Sequence, residues 1–306
     1  MIDIDFFKNK MDYERLCFET EKLKKLDNTI DIFSIGKTWE NRDIICIKIG
    51  KGKTKAIYVG AHHAMEWGTA LALVYFALEL TSSIKKKTKF YGYDYNLLLN
   101  KVSFYIIPML NPDGINLFFN GVSPVNKFYT NLMNYNNNSS DFKTWQANIR
   151  GVDLNHNYNA LFSKGKIIEL KEGITGPCQT KYSGEYYESE KETIALCKFT
   201  RFIKPKMIIA LHSQGKEIYY QYNNNKNIIN ENIAMIISKI TGYKLARTEG
   251  TASYGGYKDW FINEIKGTGI TIEMGEGINP LNFEQLLIAY KDIKEALICS
   301  PLLIKQ

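Results

Sequence analysis

Seven short runs rich in Val, Ile and Tyr recur along the chain, at Asp31 to Ile35, Ile44 to Ile49, Lys55 to Gly60, Val102 to Pro108, Met207 to His212, Glu217 to Tyr220 and Gly269 to Met274. Several are almost continuously apolar instead of alternating, which predicts strands covered on both faces. Between them, apolar residues fall at helical spacing at about Trp67 to Leu80, Glu188 to Phe202, Ile229 to Thr241, Tyr257 to Ile265 and Phe283 to Ile298. Strands that alternate with helices predict an α/β fold with helices on both faces of one sheet. Residues 1–27 are expected to form a helical extension ahead of a domain spanning 28–306. No repeat or long linker divides the 306 residues, a length that one large core can serve. The asparagine-rich pieces at Asn134 to Asn138 and Asn223 to Asn230 are expected to be loops within that domain. The connections near Asn116 to Asn148 and Asn159 to Tyr187 exceed ordinary loop lengths, and loops of that length are usually functional; they are expected to wall a cleft.

Charge changes this picture little. The net charge is +7, but the lysines are spread along the chain and no basic helix or aromatic-basic RNA motif appears, which argues against nucleic acid. A modest positive field still favours acidic substrates. The opening Met1-Ile2-Asp3-Ile4-Asp5-Phe6-Phe7-Lys8 has neither the basic run nor the apolar core of a signal peptide, so a cytoplasmic location is expected. No apolar stretch is expected to reach membrane-spanning length. Five cysteines without framework spacing fit a reducing compartment, as free and mostly buried thiols.

The chemistry gathers where the apolar runs end. Gly60-Ala61-His62-His63-Ala64-Met65-Glu66-Trp67 follows the third run, and a histidine and a carboxylate three residues apart share one side of a helical turn. His63 and Glu66 therefore suit two positions of a His2Glu zinc site, with a distant histidine as the third protein ligand. The chain has four histidines, and His212, at the end of the fifth run, is the natural third ligand. Open α/β sheets build sites at such strand ends. Spacing does not choose between His63 and His62, which lies four positions from Glu66. A His-x-x-Glu by itself is also a frequent chance pattern.

Further blocks stand in order along the chain: Asn111-Pro112-Asp113-Gly114, Val152-Asp153-Leu154-Asn155, Leu211-His212-Ser213 and Ile272-Glu273-Met274. With His63-Ala64-Met65-Glu66 they resemble the zinc carboxypeptidase family over about residues 28 to 300. Leu211-His212-Ser213-Gln214-Gly215, Gly256-Tyr257-Lys258-Asp259-Trp260 and Glu273-Met274-Gly275-Glu276-Gly277 look like its bacterial γ-D-glutamyl-diamino acid endopeptidases, which cut cell-wall peptides. The resemblance implies a mixed, largely parallel sheet. It implies one Zn2+ on His63, Glu66 and His212, Glu273 as the catalytic base, and Asp153 behind the first histidine. Arg150 is the expected electrophile, although the digestive enzymes carry an arginine directly after a tryptophan and here Trp145 is followed by Gln146. Asn155 and His156 are expected at the substrate's acidic end; His156 replaces an arginine and cannot form its two-pronged clamp. Tyr254 is the substitute for a mobile tyrosine whose strict position falls on Thr251. Lys258 is expected to line the specificity pocket and attract an acidic group.

The favoured reading is a zinc peptidase acting on wall-derived peptides at γ-D-glutamyl-diaminopimelate bonds. Two others compete: a metallocarboxypeptidase for ordinary peptides with acidic ends, and a protein that binds muropeptides without hydrolysis. The intact ligand set and base weigh against the last.

Overall fold

A computed structural model of the protein describes residues 2–223, 228–247 and 250–304. Eight strands form its main sheet: β1 Asp31–Lys37, β2 Asp43–Ile49, β3 Thr54–Val59, β4 Val102–Ile107, β5 Met207–His212, β6 Glu217–Tyr219, β7 Lys244–Ala246 and β8 Thr268–Glu273. Their spatial order is β1-β2-β4-β3-β5-β8-β6-β7. The centre, β4-β3-β5-β8, is parallel, while β1-β2, β2-β4 and β8-β6 are antiparallel. All seven expected strands are present; β7 and a short hairpin of Lys89–Phe90 with Tyr93–Asp94 were not foreseen.

The central strands are buried on both faces, as their continuous apolar character predicts. Successive residues serve opposite cores. Ala56 and Tyr58 of β3 and Met207, Ile209 and Leu211 of β5 enter one cluster, whereas Ile57, Val59, Ile208 and Ala210 enter the other. The first cluster is closed by α1 (Tyr13–Leu26), α2 (Trp67–Lys85), α5 (Ile228–Thr241) and α6 (Phe283–Cys299). The second is closed by α4 (Lys191–Ile203) and the segment Tyr257–Ile265, an α-helical turn through Trp260 that continues as a π-helical turn. Phe6, Phe7, Leu16 and Leu23 from the N-terminal helices lie in the first core.

Some of these expectations change. The stretch Ala64–Lys85 does reach spanning length and composition, but most of its apolar part is buried within the protein, as befits a core helix. The long connections are not bare loops: they contain α3 (Pro112–Asn120), Tyr129–Tyr135 and Phe162–Lys171. Of the cysteines only Cys46 and Cys197 are buried, and all five are free. In the Asn223 to Asn230 piece, residues 224–227 lie outside the described residues and Ile228 already begins α5.

Candidate metal centre and substrate cavity

After β3 the chain turns, and His63 leads into the short 3-10 helix Ala64–Glu66 that runs on into α2. Thr69 pins this turn: its hydroxyl donates to the Glu66 carbonyl and accepts from the Ala61 N–H, each at 2.8 Å. Asn111 caps α3 through the Gly114 N–H, and its amide donates to the carbonyls of His62 and Ala147, both at 3.1 Å. The Asn-Pro-Asp-Gly block is thus a helix start that also holds the ligand loop.

The turn brings His63 Nδ1 to 2.8 Å from Glu66 Oε1, while His212 Nδ1, at the end of β5, lies 3.1 Å from Glu66 Oε2 and 3.3 Å from His63 Nδ1. One ligand atom from each of the three residues falls within 4.8 Å of the others. The far nitrogen of His63, Nε2, is 3.1 Å from Asp153 Oδ1. A proton held there, donated to the carboxylate, leaves the Nδ1 lone pair directed at the cluster, the tautomer a metal requires. Asp153 also accepts the Asn155 and Lys181 N–H groups at 3.2 and 2.9 Å. Burial alone would raise its carboxyl, but His63, His156 and these donors hold it well below the usual carboxylate range. Burial would likewise raise Glu66, and the two histidines more than offset that.

His62 is not in the cluster. It is fully buried, its Nε2 is 3.0 Å from the Tyr158 hydroxyl, and its ring stacks on His212 at 5.3 Å. Burial and the neighbouring histidines keep it neutral. Glu273 pairs in register with His212 across parallel strands, so both side chains leave the same face of the sheet. Burial and then the nearby Glu66 push the Glu273 carboxyl well above its ordinary range. A divalent cation at the cluster would act in the opposite sense.

A cavity of ≈ 430 Å³ opens in front of these groups, lined by His63, His212 and Glu273 together with Asn155, His156, Tyr219, Arg247, Lys258 and Asp259. Asn155 accepts the Tyr257 N–H on Oδ1 at 3.2 Å, which leaves its amide donor for the cavity. His156 Nδ1 is 3.2 Å from the Tyr254 carbonyl. The close approach depends on Gly255, at φ +72°, where a Cβ would stand 2.2 Å from the His156 carbonyl oxygen. The Tyr254 side chain does not line this cavity; it faces two neighbouring ones. The Thr251 side chain lies outside the described residues. Lys258 does line the cavity, but as a buried ion pair with Asp259, not as a free cation, and its ammonium also donates to the Gln221 carbonyl at 2.6 Å. Sequence reasoning missed Tyr219, Arg247 and Asp259 as lining groups. Tyrosine is common in this chain, and Arg247 follows a three-residue strand whose apolar signal is too short to find.

Arg150 lies elsewhere. Its guanidinium sits 4.5 Å over the Trp39 ring and 3.4 Å from Glu190 Oε1, lining a separate cavity. The expectation of an electrophile there fails on position, since an oxyanion donor must face the reacting carbon. Beside Glu190, Glu192 is fully buried; among the described residues no partner meets its Oε1, and Asn148 Nδ2 donates to Oε2 at 3.4 Å. Burial first, then Asp113 and Glu190, push its carboxyl up to about 8. The folded state therefore keeps a proton that the unfolded chain loses, and this group's contribution to stability declines as pH rises from its unfolded value to about 8. Glu192→Gln removes that dependence. Its unfolding free energy relative to the unsubstituted chain should rise between pH 4.5 and 8 by on the order of a few kcal/mol, measured by denaturant titration at both pH values. A pH-independent difference would show that Glu192 ionises normally.

A family model described as zinc carboxypeptidase matches residues 19–296. The gamma-D-glutamyl-L-diamino acid endopeptidase 1 of Lysinibacillus sphaericus is 31% identical over 282 residues, covering 92% of this chain and 69% of that protein. Carboxypeptidase B of Canis lupus familiaris is 28% identical over 261 residues, covering 79% and 57%. Among solved structures, bovine thrombin-activatable fibrinolysis inhibitor in complex with tick carboxypeptidase inhibitor shares the fold, with a TM-score of 0.76 at 19% identity, covering 97% of this chain and 98% of that one. With a matched segment that contains both ends of the histidine-glutamate-histidine cluster, this chain belongs to the zinc carboxypeptidase family.

Proposed function

We propose that this chain is a zinc peptidase that hydrolyses the γ-D-glutamyl bond to meso-diaminopimelate in peptides derived from bacterial cell wall. The observation that carries this reading is the convergence of His63, Glu66 and His212, with Glu273 in register beside His212, on a cavity with cations in its wall. The bond itself is taken from the relative named for γ-D-glutamyl-L-diamino acid substrates.

Two imidazoles and a carboxylate are a donor set that suits zinc, and the Asp153 contact sets the tautomer of one of them. We assign one Zn2+ per chain to His63, Glu66 and His212. When bound, zinc supplies the Lewis acidity that makes a water nucleophilic near neutral pH and polarises the scissile carbonyl. Glu273 takes the proton of the attacking water on its carboxylate and returns it to the leaving amine nitrogen as the C–N bond breaks. Asp153 holds the His63 ring in place throughout. Asn155 offers its amide N–H to an acidic group of the substrate, and His156 fixes the neighbouring loop through the Tyr254 carbonyl.

Incubating the purified protein with L-Ala-γ-D-Glu-meso-diaminopimelate should release the free diamino acid, identified by mass. Trimming of ordinary acidic peptides with no cleavage of this one would favour the carboxypeptidase reading. Tight binding of the tripeptide without product would favour capture.

A further inference from the structure

Lysines that are scattered along the sequence gather in the fold at the edge of the sheet opposite the metal cluster. His63 follows β3, and His212 and Glu273 end β5 and β8. At the other edge each of the four parallel strands is entered past an exposed lysine: Lys53 before β3, Lys101 before β4, Lys206 before β5 and Lys266 two residues before β8. These strand starts are level. The Thr54 N–H donates to the Lys101 carbonyl at 3.1 Å, the Lys206 N–H to the Lys55 carbonyl at 2.9 Å and the Thr268 N–H to the Lys206 carbonyl at 3.0 Å. Neighbouring strands lie about 4.8 Å apart, so the four lysines form a row roughly 15 Å long. Gly52 draws it tight, since a Cβ there would stand 1.8 Å from the Lys101 carbonyl carbon, and the exposed Lys51 and Lys204 flank it. Among the described residues none of these six ammonium groups has an ion-pair or hydrogen-bond partner. Nearby carboxylates are engaged elsewhere: Glu264 with Arg201 and the Trp260 indole N–H, Asp31 with Lys48. Apolar side chains stand out on both flanks of the row. Phe202, 81% exposed, is in the last turn of α4, which Lys55 ties to the edge by donating to the Ile203 carbonyl at 3.2 Å. On the opposite face of the sheet Tyr93 and Leu97, 65% and 59% exposed, lie in the hairpin and the short helix Tyr95–Leu99 that lead into β4. The Leu99 carbonyl there accepts the Lys51 N–H at 3.0 Å.

We propose that this edge seats the protein on an anionic lipid bilayer, with the lysine ammonium groups among the headgroup phosphates and Phe202, Tyr93 and Leu97 in the interface beneath them. Lysine stems are long enough to place their charges in the headgroup layer while the apolar side chains beside them leave water. The two contributions act together on a bilayer surface. A dissolved phosphate polymer would use the lysines and leave Phe202 in water. Strands of six residues hold the metal cluster about 20 Å from this edge, so the seated protein turns its cavity away from the lipid. The proposal does not depend on which bond the metal centre cuts.

The test is sedimentation of the full chain with vesicles of phosphatidylglycerol and phosphatidylcholine in equal parts, against vesicles of phosphatidylcholine alone. Binding is expected to the anionic vesicles only, and it should weaken as salt rises. Lys53→Ala, Lys101→Ala and Lys206→Ala combined should lower the partition coefficient about a hundredfold, at roughly fivefold for each lysine near the surface. A charge-matched control, Lys164→Ala, Lys171→Ala and Lys239→Ala combined, removes lysines exposed elsewhere and should bind nearly as the unsubstituted protein does. Phe202→Ala should lower the partition coefficient about tenfold, the effect of one apolar side chain leaving water. The same variant should bind soluble poly(glycerol phosphate) as the unsubstituted protein does, which separates the bilayer from a dissolved polymer. Thermal midpoints should agree among the variants, since every replaced side chain is exposed. Absence of sedimentation with anionic vesicles overturns the proposal, as does an equal loss in the two triple variants. Vesicle binding that Phe202→Ala leaves unchanged overturns it in favour of a general polyanion site.

Discussion

Replacing Glu273 by glutamine is expected to lower kcat by ~10² to 10⁴-fold, the usual worth of a positioned general base, while zinc content and peptide affinity are retained. The amide matches the carboxylate in shape but cannot take the proton of the attacking water. Glu273 ends β8 opposite His212 of β5, so the substitution lies beside the metal ligands without being one of them. A carboxylate on an otherwise apolar strand is costly to bury without a partner or a task, and Glu273 has no hydrogen-bond donor among the described residues. Steady-state kinetics on the metal-replete variant, with zinc quantified by elemental analysis, give the answer. Near-normal turnover would sink the proposed mechanism.

His212→Ala is expected to take zinc from about one per chain to near zero, because a three-ligand site that loses an imidazole retains only the pair from one turn. Asp153→Asn should weaken zinc more mildly, by about ten- to a hundredfold in affinity, as changes to a group that only orients a ligand do. His62→Ala should leave zinc in place, since that ring is bonded to Tyr158 behind the cluster. Thermal denaturation supplies a readout independent of activity. A chelator should lower the midpoint of the unsubstituted protein and leave that of His212→Ala unmoved, because ligand binding to the native state alone stabilises it. Zinc retained in His212→Ala, or lost in His62→Ala, would reassign the ligands.

How far the chain announces its own structure differs between elements. The largely apolar runs of β3, β4, β5 and β8 were legible because burial on both faces removes most polar positions, which leaves a signal within six residues. Strand β7 was not, because three residues at a sheet edge need no apolar run. Helix α3 was overlooked although Asn111 and Pro112 are a helix start signal in the sequence itself. The missed helices inside the long connections have weaker patterns; Phe162–Lys171, for example, buries only Glu169.

Sequence by itself determined what depends on near neighbours: the strand and helix alternation, and the His63-Glu66 spacing that lets two side chains meet on one turn. The choice of His63 over His62 was left open by spacing and came only from resemblance to a family; in the fold it follows from direction, since His63 meets Glu66 and Asp153 while His62 is turned to Tyr158. Tertiary structure alone decided which charges remain available. Arg150 is drawn to Glu190 and Trp39, 40 and 111 positions away in the chain, and Lys258 is claimed by Asp259 and the Gln221 carbonyl before any substrate arrives. Tyr219 and Arg247 reach the cavity because β6 and β7 pair beside β8, an arrangement that no local pattern records. A side chain's identity is local, whereas its partner and its exposure are set by segments distant in sequence, and the chemistry of the site depends on both.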